Sequence, residues 1–161
     1  LVLSRAGERW DHVVATKDWH IDPGSHFSDH PDYRDSWPAH CVVGSDGAAF
    51  HPELKAEKIE AVFHKGEHKA AYSGFEGHTS DGIGLAAWLR ERDVTEVELV
   101  GIATDHCVRA TALDAKAEGF ATTVLLDLTA GVAEGTTAAA LEEFRTASIV
   151  TTGSPVVDSA S

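Results

Sequence analysis

The sequence predicts a single α/β domain: a doubly wound, mostly parallel sheet covered by helices on both faces, three layers in all. Three observations point there. Short apolar or β-branched runs at 13–16, 61–65, 97–102, 121–128 and 149–152 lack the polar alternation of half-exposed strands, as strands covered on both faces do. Segments with helical apolar spacing separate the later runs. Residues able to do chemistry gather at the carboxyl ends of the runs, which is where ligands bind in such sheets.

Taken in order, residues 1–10 (Leu1, Val2, Leu3, Ala6, Trp10) read as the last turns of an amphipathic helix. The run 13–16 leads into Lys17-Asp18-Trp19-His20, and Pro23-Gly24 opens a long polar loop reaching about Pro52. Loops of that length inside a compact domain are commonly functional. A short helical or irregular piece at 54–60 precedes the second strand, 61–65. A further polar loop, 66–82, holds Tyr72-Ser73-Gly74-Phe75. The helix predicted over 83–92 has Leu85, Ala86, Trp88 and Leu89 as its buried stripe. After the strand 97–102 a helix runs from Cys107 to Glu118, with Gly119 as its carboxyl cap. The strand 121–128 leaves through a turn at Thr129-Ala130-Gly131. Thr136 or Thr137 caps a helix ending at Arg145, a fifth strand follows at 149–152, and the tail from 153, the segment 154–161 above all, is expected to fray.

The 161 residues suffice for one domain with a real core, and 43% hydrophobic with 24% charged residues is ordinary for a globular chain. A formal charge of −13 argues against nucleic acid and anionic membranes as partners, since both are bound by clustered cations. No apolar run is long enough to span a bilayer, and no basic start precedes an apolar stretch, so a cytoplasmic location is expected. Cys41 and Cys107 are accordingly expected as reduced thiols.

Three groups stand out chemically. Asp18 and His20, at i and i+2 of a strand, point the same way, and His26 and His40 follow in the loop. Three imidazoles and a carboxylate suit Zn, Fe or Mn; a solvated histidine-rich loop is the competing reading on spacing alone. His30, His51, His64, His68 and His78 lack a partner at strand spacing and read as surface residues. Lys65 ends a strand, where a lysine either snorkels to water or supplies a cation to a nearby thiol. Cys107 follows Thr104-Asp105-His106 at a strand-to-helix turn. There the helix dipole favours a thiolate and backbone amides can hold an oxyanion; packing of a small buried thiol is the alternative. Cys41 has no such setting and reads as structural.

Several stretches together resemble a known family: 12–24 (HVVATKDWHIDPG), 36–41 (SWPAHC), 71–77 (AYSGFEG), 100–109 (VGIATDHCVR), 127–132 and 140–143. They are similar to the nicotinamidases of the isochorismatase-like cysteine hydrolases, most of all the nicotinamidase/pyrazinamidase members of actinobacterial type. The resemblance covers nearly the whole chain. It implies an isochorismatase-like fold and a cytoplasmic enzyme of NAD salvage, hydrolysing nicotinamide to nicotinate and ammonia, with pyrazinamide a further candidate substrate. It implies Cys107 as nucleophile, Lys65 as a member of the catalytic triad, and Ala103 and Cys107 amides as the oxyanion hole beside a cis peptide at Ile102-Ala103. It also implies one divalent metal held by Asp18, His20, His26 and His40, with Trp37 and Tyr72 lining the ring pocket.

The sequence departs from the family in one place. The triad aspartate belongs to a motif resembling V-D-x-Q-x-D-F on a central first strand, and no such motif occurs here; Asp105 and Asp127 stand in stretches that match other parts of the family. The expectation is an N-terminally truncated domain over 1–161, its missing strand belonging between 13–16 and 97–102 and leaving edges unpaired. The alternatives this leaves are an inactive metal-binding fragment, or a related amidohydrolase acting on another small amide.

Overall fold

The computed structural model describes residues 10–48 and 58–157. The helical turns expected over 1–9, most of the piece expected at 54–60, His51, and the tail from 158 lie outside the described residues. The chain forms two compact units, Leu1–Ala71 with Glu76–Gly84, and Tyr72–Phe75 with Leu85–Ser161. All strands pair in parallel, as the unbroken apolar runs predict.

In the first unit β1 (Val14–Asp18) pairs with β2 (Ala61–Lys65) in a two-stranded sheet. The register sets Asp18 opposite Lys65, so both strands end at the same level, each on a charged residue. The strand predicted at 13–16 thus extends through Asp18, because pairing with β2 carries the ladder past the apolar run. Phe63 is fully buried, whereas most of β1 is only half-buried.

The second unit holds α1 (Leu85–Glu91), β3 (Glu96–Ile102), α2 (Arg109–Ala117), β4 (Ala121–Gly131), α3 (Glu134–Thr146), β5 (Val150–Thr152) and β6 (Val156–Val157). Strands β3, β4 and β5 lie in that order, and β6 also pairs with β4. Val108, Ala112, Val124, Leu126, Phe144 and Ile149 form the core, with Leu99, Leu113 and Leu141 against it. Leu85, Trp88 and Leu89 are buried, as the stripe on α1 predicts. Gly119 (φ +95°) closes α2, with Phe120 N–H bonded to the Ala115 carbonyl at 3.0 Å, a left-handed cap that a side chain would strain.

Among the described residues the parallel strands form two sheets, and β3 pairs there with β4 alone, which leaves Ile102 76% exposed. Three expectations are corrected. Thr129–Gly131 is strand rather than exit turn, because Thr129 and Ala130 pair with β3 while Ala130 and Gly131 pair with β6. β6 in turn orders part of the tail expected to fray. Finally, α3 starts at Glu134 after an Ala133 N-cap that makes no side-chain cap bond, so neither Thr136 nor Thr137 sits at the cap.

Candidate active site and metal centre

The first unit carries the metal-binding candidates at the carboxyl end of β1. His20 follows the strand directly. Its backbone N–H is held by the Cys41 carbonyl at 2.9 Å, which fixes the far end of the loop beside it. His26 ends a short 3-10 turn, Gly24–His26, and the Trp37 N–H bonds its carbonyl at 2.8 Å. One ring nitrogen from each of His20, His26 and His40 lies within 4.8 Å of the others. His20 and His26 are buried and His40 is half-buried.

The hydrogen bonds around these rings define their chemistry. His20 Nδ1 contacts the Gly66 carbonyl at 2.6 Å, His40 Nδ1 the Pro38 carbonyl at 2.8 Å, and His26 Nδ1 the Asp35 carbonyl at 3.3 Å. A carbonyl only accepts, so each Nδ1 carries the proton and each Nε2 the lone pair. Orienting a ligating imidazole through the opposite nitrogen is how proteins fix metal-binding histidines. His20 Nε2 is buried and finds no hydrogen-bond partner among the described residues, which is costly for a polar atom unless a ligand takes the lone pair. Burial holds His26 below the ordinary imidazole value, with His40 and His20 adding to it; that favours the neutral form a metal needs. The donor set therefore fits a divalent ion.

Asp18 stands beside this centre, its Oδ2 4.0 Å from His20 Nε2. Its Oδ1 lies 2.8 Å from Lys65 Nζ, which also donates to the Ala71 carbonyl at 3.3 Å. Lys65 does not snorkel: only 3% of it is exposed. Trp37 is half-buried and packs edge-on to Tyr33, its backbone bonded to the loop that bears His26. His64 corrects the surface reading. It is half-buried, stacks on Trp19 with ring centres 4.4 Å apart, and has its pKa lowered by burial and then by Lys17. His30, His68 and His78 are exposed as expected.

The second unit carries Cys107. The peptide Ile102-Ala103 is cis. The Ala103 carbonyl then accepts from both His106 N (3.1 Å) and Val108 N (3.0 Å), and the second bond winds Thr104–Val108 into a π turn ahead of α2. The thiol therefore belongs to this π turn and not to the first turn of α2, as the helix predicted from Cys107 had it. Such turns inside helices are frequent at functional sites. Two residues that the sequence did not single out hold the turn. Thr111, one helical turn on, donates to the Cys107 carbonyl at 2.6 Å and accepts the Gly74 N–H at 2.8 Å. That clamps the 72–76 loop, whose Tyr72 stacks on His106 with ring centres 5.8 Å apart. Asp105, read in the sequence as part of the polar run before Cys107 and not as a substitute for the triad aspartate, bonds to the start of α3. Its position beside the nucleophile was the only available signal. An open depression of about 380 Å³, bordered by Arg109 and Glu143, is lined by none of the residues predicted for catalysis or metal binding.

The isochorismatase domain family model matches residues 2–160. The nicotinamidase/pyrazinamidase of Mycobacterium tuberculosis is 64% identical over 140 residues, spanning 87% of this chain and 75% of its own length. The nicotinamidase of Escherichia coli is 39% identical over 139 residues, 77% of this chain and 65% of its own. Among solved structures, the pyrazinamidase of Pyrococcus horikoshii in complex with zinc has a TM-score of 0.77 at 36% identity, covering 94% of this chain and 80% of that one. The PnC1 protein of L. infantum in complex with nicotinate has 0.79 at 33% identity, covering 98% and 82%.

Proposed function

The chain belongs to the isochorismatase domain family, and from that premise we propose that it is a nicotinamidase, hydrolysing the amide of nicotinamide to nicotinate and ammonia in NAD salvage. What carries the reading is the buried three-histidine centre next to the Asp18–Lys65 pair, in a chain 64% identical to a nicotinamidase/pyrazinamidase. The nicotinate bound by the L. infantum protein supports a pyridine ring as the recognised group. Among the described residues no helix is long and apolar enough to cross a membrane.

In the proposed reaction the Cys107 sulfur attacks the amide carbon, and the amides of Ala103 and Cys107 receive the negative charge that develops on oxygen. Lys65 supplies the cation that favours the thiolate. Collapse of the tetrahedral species breaks the C–N bond, and the leaving nitrogen takes a proton to depart as ammonia. Water then cleaves the thioester and restores the thiol. The proton that leaves the thiol is the one the departing nitrogen takes, which balances the acylation step; Asp18 is engaged by Lys65, and the V-D-x-Q-x-D-F motif of the family pattern does not occur in this sequence. His20, His26, His40 and Asp18 would hold a divalent ion of the Zn, Fe or Mn class, zinc being the ion of the P. horikoshii relative. Bound there, the ion supplies a Lewis acid for the ring nitrogen. Trp37 and Tyr72 would flank the ring.

A substrate panel tests this. Ammonia release from nicotinamide and pyrazinamide, with none from benzamide or an N-carbamoyl amide, is expected. Turnover confined to an N-carbamoyl amide would replace the reading with a related amidohydrolase.

A further inference from the structure

Cys107 sits in a π turn, a segment with no regular helical ladder of its own to hold it, so its geometry depends on what the turn is fastened to. Asp105 fastens its buried side to the start of α3. Its side chain is fully out of solvent. The Val132 N–H donates to Oδ1 at 2.9 Å, while the Ala133 N–H and the Thr136 hydroxyl donate to Oδ2 at 3.2 and 2.5 Å. These donors open α3, whose N-cap, Ala133, has no side chain able to cap. The unpaired N–H groups at that helix start are therefore met by a carboxylate from a distant part of the chain. The neighbouring Thr104 is tied down as well: its hydroxyl donates to Thr129 Oγ1 at 2.9 Å, and Thr129 donates to the Leu126 carbonyl at 2.9 Å.

Burial alone pushes the Asp105 carboxyl up, but the hydrogen bonds from Thr136, Val132 and Ala133 outweigh it and hold the group below the usual carboxylate range. An ionised carboxylate at a helix amino-terminus is also favoured by the dipole. His106 Nε2 lies 3.8 Å from Oδ2 on the other side. With both oxygens taken up by α3, Asp105 is poorly placed to accept the thiol proton.

We propose that Asp105 is a positioning residue for Cys107: by capping α3 from within the π turn, it fixes the backbone that aims the thiol and the turn amides at the substrate. This rests on the reading of Cys107 as nucleophile. A carboxylate suits the task and an amide does not, because an asparagine would turn one NH₂ group toward donors that need an acceptor. Displacement of a reacting group by about an ångström lowers a rate by about 100-fold.

Two variants test it from opposite ends. Asp105→Asn acts at the turn; Thr136→Val removes one donor from an exposed residue at the start of α3 and leaves the turn's own sequence intact. For each, kcat and KM for nicotinamide are measured per folded molecule, together with the rate at which iodoacetamide alkylates Cys107, resolved from Cys41 by peptide mass mapping. Asp105→Asn is expected to lower kcat by about tenfold or more with KM within about twofold, and to change the alkylation rate in parallel. Thr136→Val is expected to follow in the same direction but less, and Thr136→Ser to restore wild-type values. A merely structural cap would reduce the folded fraction and leave kcat per folded molecule and alkylation alone; that result overturns the proposal. Should Asp105→Asn not fold, Thr136→Val decides. Should the wild type release no ammonia, the functional reading fails, and the alkylation rates alone decide between positioning and capping.

Discussion

The carbonyl of Gly66 accepts the Nδ1 proton of His20 at 2.6 Å, and residue 66 has no space for a side chain. A Cβ built there would stand 2.6 Å from His20 Cε1, and the backbone is left-handed (φ +79°). Two independent demands, close approach and positive φ, thus fall on the residue that orients the most buried ligand candidate. Gly66→Ala is expected to tilt the His20 ring and weaken divalent-metal affinity by about 10-fold to 100-fold. Competition with a chromophoric chelator measures this, and wild-type affinity would show that Gly66 does not orient the ring.

Lys65 and Asp18 form a pair in which the ammonium is buried and the carboxylate side chain is 21% exposed. Removing the cation alone strands the anion, at a cost of about 3 kcal/mol. Lys65→Met is therefore expected to lower the melting temperature, and Lys65→Met combined with Asp18→Asn to regain part of the loss. A double variant no better than the single one would mean that the two groups are not coupled.

Thr111 joins the Gly74 N–H to the Cys107 carbonyl. Thr111→Val leaves a buried N–H without an acceptor, costing about 1–3 kcal/mol. Because the freed loop carries Tyr72, KM for nicotinamide is expected to rise several-fold. Thr111→Ser keeps the hydroxyl and should behave as wild type; an equal defect in both would point to packing of the methyl instead.

Asp105 also sets a pH dependence. Its folded pKa lies below the ordinary aspartate value of 3.8, so the unfolded chain binds the proton more readily than the folded one. Its contribution is complete above that value and disappears as pH falls from there through the folded pKa. Urea unfolding should show wild type more stable than Asp105→Asn at pH 6, with the gap narrowing below pH 4. A gap independent of pH would rule out ionised Asp105 as its source.

Much of this was legible in the sequence because the signals are local. The run Ala61–Lys65 stands between polar segments and is strand β2 with those bounds. His20, His26 and His40 stand out by residue type and spacing, and the structure brings them together. What was not legible depends on partners far along the chain. Thr129–Gly131 carries turn-forming residues, yet pairing with β3 and β6 keeps it extended, as tertiary context overrides propensity. The π turn depends on one carbonyl, that of Ala103, accepting two N–H groups, which leaves no periodic trace. Asp105 looked like a spare carboxylate because its donors lie 27 to 31 residues downstream.

The central claim, that Cys107 is the nucleophile of a nicotinamidase, is tested most directly by Cys107→Ala, read by ammonia release from nicotinamide and by bound metal in the same preparation. The account predicts activity at or below about 1% of wild type with metal content unchanged, since the thiol is indispensable to covalent catalysis but belongs to no part of the histidine centre. A folded, metal-loaded variant that still releases ammonia at more than a few per cent of the wild-type rate would contradict it.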